Sequence, residues 1–384
     1  MQTTTGNQSL TATRLRISLF FFFYGFSFAS WASRIPTIQQ TLGLSETGLG
    51  AVLLAMPVGS FLTLPFSGFL VSKMGSRKVV IASSMLYGSF LMCIGFSNNV
   101  WQLALSLFLF GSSGNMMNIA INTQAIALEK LYQKTIISSF HGMWSAAGLF
   151  AAFLGTWLMG KAFAVSYHFM LVGTLSILMF AACIPYLLAD VVKPQERTPF
   201  FPRVDKDLLG LGTITFCSMI CQGAMFDWSG VYFKKEVTAN IAFIGFGYTA
   251  FMISMTGTRF ITDWVMHHIG FKKIITLCGI FTTSGLIITV FFPNLFSATL
   301  GMLLVGIGVS PIVPLVFSAA GKTQKSNPAI AIAAVSTVGF LGLLIGPPLI
   351  GFIAGWSSLK ISFLVLSAFG LTIFAGGRLI KFRY

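Results

Sequence analysis

Three asparagines at helical spacing lie inside one long apolar segment of the chain. Asn118 and Asn122 are four residues apart, and Asn115 is three residues before Asn118, so on an α-helix the three side chains form one stripe. Each amide both donates and accepts hydrogen bonds. The stripe therefore predicts a hydrogen-bonding wall for a polar solute. The alternative is that the amides hold neighbouring helices together.

A second polar group surrounds Asp227, the one carboxylate that lies clearly within an apolar segment away from the basic loops. Ionisable side chains are costly in a membrane, so each is a functional candidate. We predict that Asp227 pairs with Arg34, directly or through a bound solute, and that the two gate the outer side of the cavity; a purely structural ion pair is the alternative. Gln222 and Trp228 lie on either side of Asp227 and are predicted to contact the solute.

His141 and Trp144 begin the fifth apolar segment. A histidine titrates near neutral pH, so His141 is a second candidate proton carrier beside Asp227; a histidine whose hydrogen bonds are satisfied at the membrane interface is the alternative. The indoles of Trp31, Trp144 and Trp228 would stack on a sugar or an aromatic ring. Interfacial anchoring is the alternative for Trp31 and Trp228.

The composition shows where these residues must lie. Of the 384 residues, 55% are hydrophobic and only 9% are charged, against roughly 25% charged in an ordinary soluble domain. So few charges exclude a cytosolic enzyme, a disordered chain and a disulfide scaffold. All five cysteines fall in apolar segments and are interpreted as packing residues. The sequence has no metal-ligand cluster, phosphate-binding loop or nucleophile–base set, so we expect neither a cofactor nor an enzymatic activity.

The apolar segments predict an all-α membrane protein with twelve spans, each long enough to cross a bilayer. The predicted spans are 17–35, 46–71, 77–96, 101–128, 135–160, 166–189, 207–233, 240–266, 271–291, 296–320, 327–353 and 358–380. Residues 190–206 form a hydrophilic linker between two six-helix halves, 17–189 and 207–380, with tails at 1–16 and 381–384. Pro311 with Pro314, and Gly346–Pro348, are expected to interrupt the tenth and eleventh helices.

The basic residues predict the orientation. With both termini in the cytoplasm, 19 of the 24 lysines and arginines lie on the cytoplasmic side, as the positive-inside rule requires. The net charge of +15 is thereby explained by topology, and we expect no nucleic-acid partner.

Two loops carry related motifs. The loop after the second span reads GFLVSKMGSRK from Gly68 to Lys78, which resembles the loop of the major facilitator superfamily. By that resemblance Gly68 allows close helix approach, Gly75 makes the tight turn, and Arg77 belongs to a basic cytoplasmic cluster. Ser72 stands where the family has an acidic residue, so the charge network there is expected to be weaker. In the second half, Arg259 and Asp263 are spaced for an ion pair.

An ordered set of further motifs is similar to the YbjJ-type branch of that superfamily, distantly similar to fucose permeases. The set comprises Trp31–Pro36, Asn118–Asn122, His141–Gly148, Gln222–Trp228, Pro314–Ala320 and Gly346–Gly351. The resemblance implies the major facilitator fold, with pseudo-symmetric halves and a cavity lined by helices 1, 4, 7 and 10. Relatives often carry carboxylates at the positions of Asn118 and Gln222, so this chain has lost two titratable groups.

These observations predict a secondary active or facilitative transporter of a small polar solute, a sugar being one candidate class, that works by alternating access in a bacterial inner membrane. The alternatives are a proton symporter that uses Asp227, a drug or metabolite exporter, and a sensor that does not transport. The expected partners are the solute, a coupling proton and membrane lipid, and the chain is expected to act as a monomer.

Overall fold

The computed structural model describes residues 10–132, 136–189, 206–321 and 328–379. Within these ranges the chain folds into fourteen α-helices. They are α1 (Leu10–Thr41), α2 (Glu46–Leu53), α3 (Ala55–Met74), α4 (Ser76–Gly95), α5 (Val100–Tyr132), α6 (Ile137–Gly160), α7 (Val165–Cys183), α8 (Lys206–Lys235), α9 (Phe246–Ile269), α10 (Phe271–Phe291), α11 (Leu295–Val309), α12 (Ile312–Gly321), α13 (Pro328–Trp356) and α14 (Leu359–Leu379).

The described residues contain twelve helical segments that are long and apolar enough to cross a membrane, which confirms the predicted number. Two of these segments are divided. The second span is shared by α2 and α3, and the tenth by α11 and α12. The first helix starts at Leu10, seven residues before the predicted start. The linker at 190–205 and the tails at 1–9 and 380–384 lie outside the described residues.

Single glycines make two equivalent turns. Gly75 alone separates α3 from α4 and Gly270 alone separates α9 from α10, with φ of 89° and 79°. Only glycine adopts such angles without strain, so the tight turn predicted at Gly75 is confirmed. The close approach predicted at Gly68 is not seen in the described part of the chain, where a Cβ atom placed at this residue would meet nothing within 4 Å.

The prolines behave in two ways. The tenth span breaks between Val309 and Ile312, at Pro311, as predicted. The predicted interruption at Pro347 and Pro348 is wrong, because α13 runs unbroken from Pro328 to Trp356. The ring of proline fixes φ near the helical value, and adjacent groups in a packed membrane helix can satisfy the few carbonyls that lose a donor.

The chain divides into two compact units that do not coincide with the sequence halves. Unit 1 comprises residues 1–31, 55–151 and 163–195, and unit 2 comprises residues 32–54, 152–162 and 196–384. The C-terminal ends of α1 and α6, together with α2, therefore belong to unit 2.

Within each unit, glycines bring helices together. In unit 1, α5 packs against α3 and α4. A Cβ on Gly111 would lie 2.8 Å from the carbonyl carbon of Met56, and one on Gly114 would lie 2.8 Å from the Tyr87 ring. In unit 2, α8 packs against α13, where a Cβ on Gly342 would lie 2.5 Å from the carbonyl oxygen of Phe216. Small residues allow such approach in membrane proteins.

Candidate functional site

The three asparagines of the stripe on α5 make two different kinds of contact. The Asn122 side-chain nitrogen donates to the side-chain oxygen of Asn118 at 2.9 Å and to its backbone carbonyl at 2.8 Å. Asn115 instead donates to the hydroxyl of Ser67 on α3 at 3.2 Å. Asn115 therefore links two helices, which is the alternative that the sequence left open. Asn118 and Asn122 are half-buried and retain hydrogen-bonding capacity for a solute.

An aromatic group lies about one helical turn along α5 from this amide pair in unit 1. The Trp144 ring on α6 lies 6.0 Å from Phe28 and 6.5 Å from Tyr24, centroid to centroid. Tyr24 also approaches α5, because a Cβ on Gly114 would lie 3.7 Å from its ring. Gly114 is one helical turn from Asn118 and on the same face. The rings of Tyr24, Phe28 and Trp144 and the two amides together form what we call the amide–aromatic site.

One close contact holds Trp144 in the amide–aromatic site, and its indole nitrogen is left without a described partner. Gly25 faces the Trp144 backbone, and a Cβ on Gly25 would lie 3.0 Å from the indole ring, so only a glycine allows α1 and α6 this close. The indole nitrogen is buried and has no hydrogen-bond partner among the described residues. Buried donors are normally paired, so this nitrogen is available to an acceptor that enters the site.

His141 lies one turn before Trp144 on α6 and is exposed. Its ring meets Phe21 edge-on at 5.4 Å. Arg14 donates to the Ser139 hydroxyl at 3.3 Å, two residues before His141. Glu129 is the one carboxylate among the described residues of unit 1, and it accepts from the Ile136 amide at 2.7 Å near the end of α5.

The charged candidates lie in unit 2. Asp227 is 8% exposed and Arg34 is 1% exposed, so both are buried. The ion pairs described in unit 2 are Lys235 with Glu46 and Lys360 with Glu236. A pair between Arg34 and Asp227 is not among them and stays a prediction.

Unsatisfied polar atoms cluster next to Asp227. Trp228 and Ser229 on α8 and Tyr248 on α9 are buried, and the indole nitrogen and both hydroxyls have no hydrogen-bond partner in the described part of the chain. Phe226 meets the Tyr248 ring at 6.3 Å. Gln222 is half-buried one turn before Phe226. Buried polar groups without partners are costly, so this turn of α8 is equipped for water or a polar solute.

The loop motif of unit 1 is held by a residue that the sequence did not single out. Gln124 of α5 donates to the Ser76 hydroxyl at 2.8 Å and to the Leu188 carbonyl at 3.1 Å, and accepts from the Leu188 amide at 2.8 Å. Arg77 donates to the Ile184 carbonyl at 3.5 Å. Thus a neutral amide and backbone carbonyls secure the loop in which Ser72 replaces the family's acidic residue.

Two predicted loop residues lie outside what is described. The side chains of Ser72 and Asp263 are not among the described ones. Arg259, on α9, is half-buried, and its predicted ion pair with Asp263 stays a prediction.

The sequence missed Tyr24, Phe28 and Gln124. Tyr24 is the one tyrosine in a run of phenylalanines from Phe20 to Phe28, which is a weak local signal. No local signal indicated Gln124, because its partner Leu188 is 64 residues away in the sequence.

Comparisons with known proteins agree on the family. The family model described as Major Facilitator Superfamily matches residues 17–323 and 211–382. An uncharacterised MFS-type transporter of Yersinia pestis is 31% identical over 94% of each chain. Membrane protein MosC of Rhizobium meliloti is 30% identical over 96% of this chain and 90% of its own. The nucleoside transporter NupG has a similar structure, with a TM-score of 0.74 at 14% identity over 97% of this chain and 100% of that chain. At that identity the likeness shows the fold alone.

Proposed function

Because this chain belongs to the Major Facilitator Superfamily, we propose that it carries a small polar solute across a bacterial inner membrane by alternating access. In this proposal the chain acts as a monomer in the lipid bilayer, with both termini in the cytoplasm. The observation that carries the proposal is the amide–aromatic site. Half-buried amides in an apolar protein are costly unless something hydrogen-bonds to them. The described hydrogen bonds of this pair run from Asn122 to Asn118 within α5 and not to a neighbouring helix.

The site supports a neutral solute with a ring. Two amides offer donors and acceptors for adjacent hydroxyl or carbonyl groups, while Tyr24, Phe28 and Trp144 offer ring faces. The described part of unit 1 places no carboxylate beside them, and Glu129 is already engaged by a backbone amide. A charged solute would find no counter-ion among the rings and amides of this site. A sugar is therefore one candidate class and a polar heterocycle is another.

A proton is the second proposed partner. Asp227 is buried on α8, and the positions of Asn118 and Gln222 hold amides that do not titrate near neutral pH. If transport is coupled to protons, Asp227 is the carboxylate available in the membrane interior of the described chain. The uncoupled alternative is facilitated diffusion, in which Asp227 only binds the solute.

Ligand-induced stabilisation of the purified protein tests the solute class. A solute that binds the folded state raises the unfolding temperature, by an amount that grows with the logarithm of its concentration above Kd. The panel contains glucose, its open-chain analogue sorbitol, its cationic analogue glucosamine, its anionic analogue glucuronate, and uridine. We expect a neutral ring compound to stabilise the protein and the charged and open-chain analogues not to do so.

Single-residue variants then test where the solute binds. Asn118→Ala removes half of the amide pair and is expected to abolish the ligand-induced shift. Thr123→Ala is the matched control: Thr123 is exposed on the same helix and bonds only to the Ile119 carbonyl. Uptake of the radiolabelled ligand into proteoliposomes shows whether binding leads to transport. Binding that survives Asn118→Ala unchanged would contradict the placement of the site, and a ligand that binds but never crosses would contradict transport.

A further inference from the structure

The turn at Gly270 joins α9 to α10 and brings aromatic and basic side chains together on the surface of unit 2. We call this group the Trp264 patch. Phe260 is 71% exposed and Trp264 is 66% exposed, and the basic members are exposed as well. The members of the patch are Phe260, Trp264, His267, His268, Lys272 and Lys273.

The rings at the end of α9 are held in a fixed arrangement. The His268 ring lies 4.4 Å from the Trp264 ring, centroid to centroid. Its Nδ1 atom lies 2.8 Å from the Trp264 carbonyl oxygen, and because a carbonyl only accepts, Nδ1 carries the proton. The His267 ring meets His268 edge-on at 5.6 Å. The indole therefore has a defined position at the surface although it is exposed.

Two lysines follow the glycine turn in the first turn of α10. Lys272 and Lys273 are exposed, and among the described residues neither ammonium group has a hydrogen bond or an ion pair. The side chain of Asp263 on α9 is not among the described ones. Cations in the first turn of a helix are disfavoured by the helix dipole. The two lysines therefore do not stabilise α10, and their charge is available to an anion from outside the chain.

The equivalent turn of unit 1 repeats part of this arrangement. The Lys73 Nζ atom lies 5.6 Å from the centroid of the Phe69 ring, four residues earlier on α3. Arg77, two residues after the turn glycine, donates to the Ile184 carbonyl at 3.5 Å. Lys272 occupies the same position after the turn glycine of unit 2 and has no such described partner. A basic group beside a ring is thus common to both turns, whereas the basic residue after the glycine is engaged in unit 1 and available in unit 2.

The patch extends from the apolar part of α9 into the polar turn. Phe260 lies inside the membrane-crossing segment Ile241–Thr262, and Trp264 lies two residues beyond it. Tryptophan is enriched at the boundary between the hydrocarbon region and the headgroups. The exposed Phe260 ring therefore lies at the depth of acyl chains, and the lysines lie at the depth of headgroups. A soluble anion would contact the lysines but would leave the Phe260 end of the patch unused.

We propose that the Trp264 patch binds an anionic phospholipid of the phosphatidylglycerol class. Its phosphate contacts Lys272 and Lys273, and its acyl chains lie along Phe260 and Trp264. A zwitterionic phospholipid carries its own ammonium group, which the lysines repel, so the patch selects against phosphatidylcholine. The proposal goes beyond the proposed transport function and does not depend on it, because no member of the patch belongs to the amide–aromatic site.

Quenching of tryptophan fluorescence by brominated lipid tests the proposal at Trp264 itself. The full-length protein is reconstituted in equal amounts of phosphatidylglycerol and phosphatidylcholine, with one of the two lipids brominated in its acyl chains. The contribution of Trp264 is the difference between the protein and its Trp264→Phe variant. Each lysine near an anionic surface strengthens association by about fivefold. We therefore expect brominated phosphatidylglycerol to quench this component several-fold more strongly than brominated phosphatidylcholine.

Replacement of the lysines tests what makes the selection. Lys272→Gln with Lys273→Gln should remove the preference for phosphatidylglycerol, and each single variant should show an intermediate loss. The matched control is Lys130→Gln with Lys161→Gln, which removes two exposed lysines elsewhere in the chain and should keep the preference. Equal quenching by the two lipids in the unmodified protein, a preference that survives the double replacement, or an equal loss in the control would each overturn the proposal.

Thermal unfolding in detergent gives a second measurement and distinguishes a lipid from a soluble anion. Phosphatidylglycerol should raise the unfolding temperature more than phosphatidylcholine at the same concentration, because it binds the folded state more tightly. The difference should disappear in the double lysine variant, which should unfold at the unmodified protein's temperature when no lipid is added. Glycerol 3-phosphate, which has the phosphate but no acyl chains, should give no shift. A full shift with glycerol 3-phosphate, or none with phosphatidylglycerol, would contradict a lipid site.

Discussion

Replacing Gly111 by alanine should destabilise the protein and weaken the packing of α5, the helix that carries the amide pair, against α3. The new Cβ would meet the Met56 carbonyl of α3, with its carbon at 2.8 Å. Carbon atoms in contact normally lie ~3.5–4.0 Å apart, so α3 and α5 must separate by about 0.7 Å or more. The obstacle is backbone, which cannot rotate away as a flexible side chain does.

The cost has two parts of opposite sign. Overpacking of this kind costs ~1–3 kcal/mol, whereas alanine is better than glycine inside a helix by ~1 kcal/mol. The separation also stretches the bond from Asn115 to Ser67, now 3.2 Å, beyond the useful limit of ~3.5 Å. We expect a net loss of about 2 kcal/mol, which is roughly a 30-fold change in the folding equilibrium constant.

Thermal unfolding of the purified variants in detergent measures the effect. Gly68→Ala and Gly257→Ala are matched controls, because a Cβ at either helical position meets nothing within 4 Å. Both should be neutral or stabilised by up to ~1 kcal/mol from helix propensity. The reasoning is refuted if Gly111→Ala unfolds at the same temperature as the two controls.

Three further outcomes are expected. Gln124→Ala should cost ~1–3 kcal/mol in the same unfolding assay, because it leaves the Leu188 amide without its side-chain acceptor. Thr123→Ala, at an exposed site of the same helix, should change stability by less than ~0.5 kcal/mol; equal losses would contradict the role of Gln124. Asp227→Asn should keep solute exchange but lose accumulation driven by a pH gradient, since the amide cannot carry a proton; normal accumulation would remove Asp227 from proton coupling. Trp144→Phe should keep most of the ligand-induced thermal shift and Trp144→Ala should lose it; equal shifts in the two variants would show that the ring does not contact the solute.

Hydropathy was sufficient to predict the spans, because each membrane helix satisfies its own backbone and must be apolar along ~20 residues. The turn at Gly75 was predictable for a similar reason, since its backbone angle is a local property. The same local reasoning failed at Pro347 and Pro348, where proline was expected to break the helix. In α13 the two residues fit the helical φ, and the helix continues.

Contacts between helices could not be predicted in this way. Lys235 and Glu46 are 189 residues apart, and no periodicity within either helix indicates that they meet. Asn115 shows the same limitation. Its place on the stripe predicted a role in binding the solute, yet its partner is Ser67, and only the crossing of α3 and α5 brings them together. Helix packing depends on glycines and other small residues that let helices approach closely. A single sequence shows where these residues are, but it does not show which helix packs against them.

The two units differ in their charged residues, and this difference separates solute binding from proton coupling. Among the described residues of unit 1 the amide–aromatic site has no carboxylate beside it, so a solute held there by hydrogen bonds and ring contacts binds equally well over the pH range in which carboxylates titrate. Asp227 in unit 2 is buried, so in the proposed function any proton that it carries is taken up in that unit. Proton coupling then depends on this one carboxylate. Removing the carboxylate should leave a facilitator that still recognises its solute, whereas removing the amide pair should leave a protein that binds no solute.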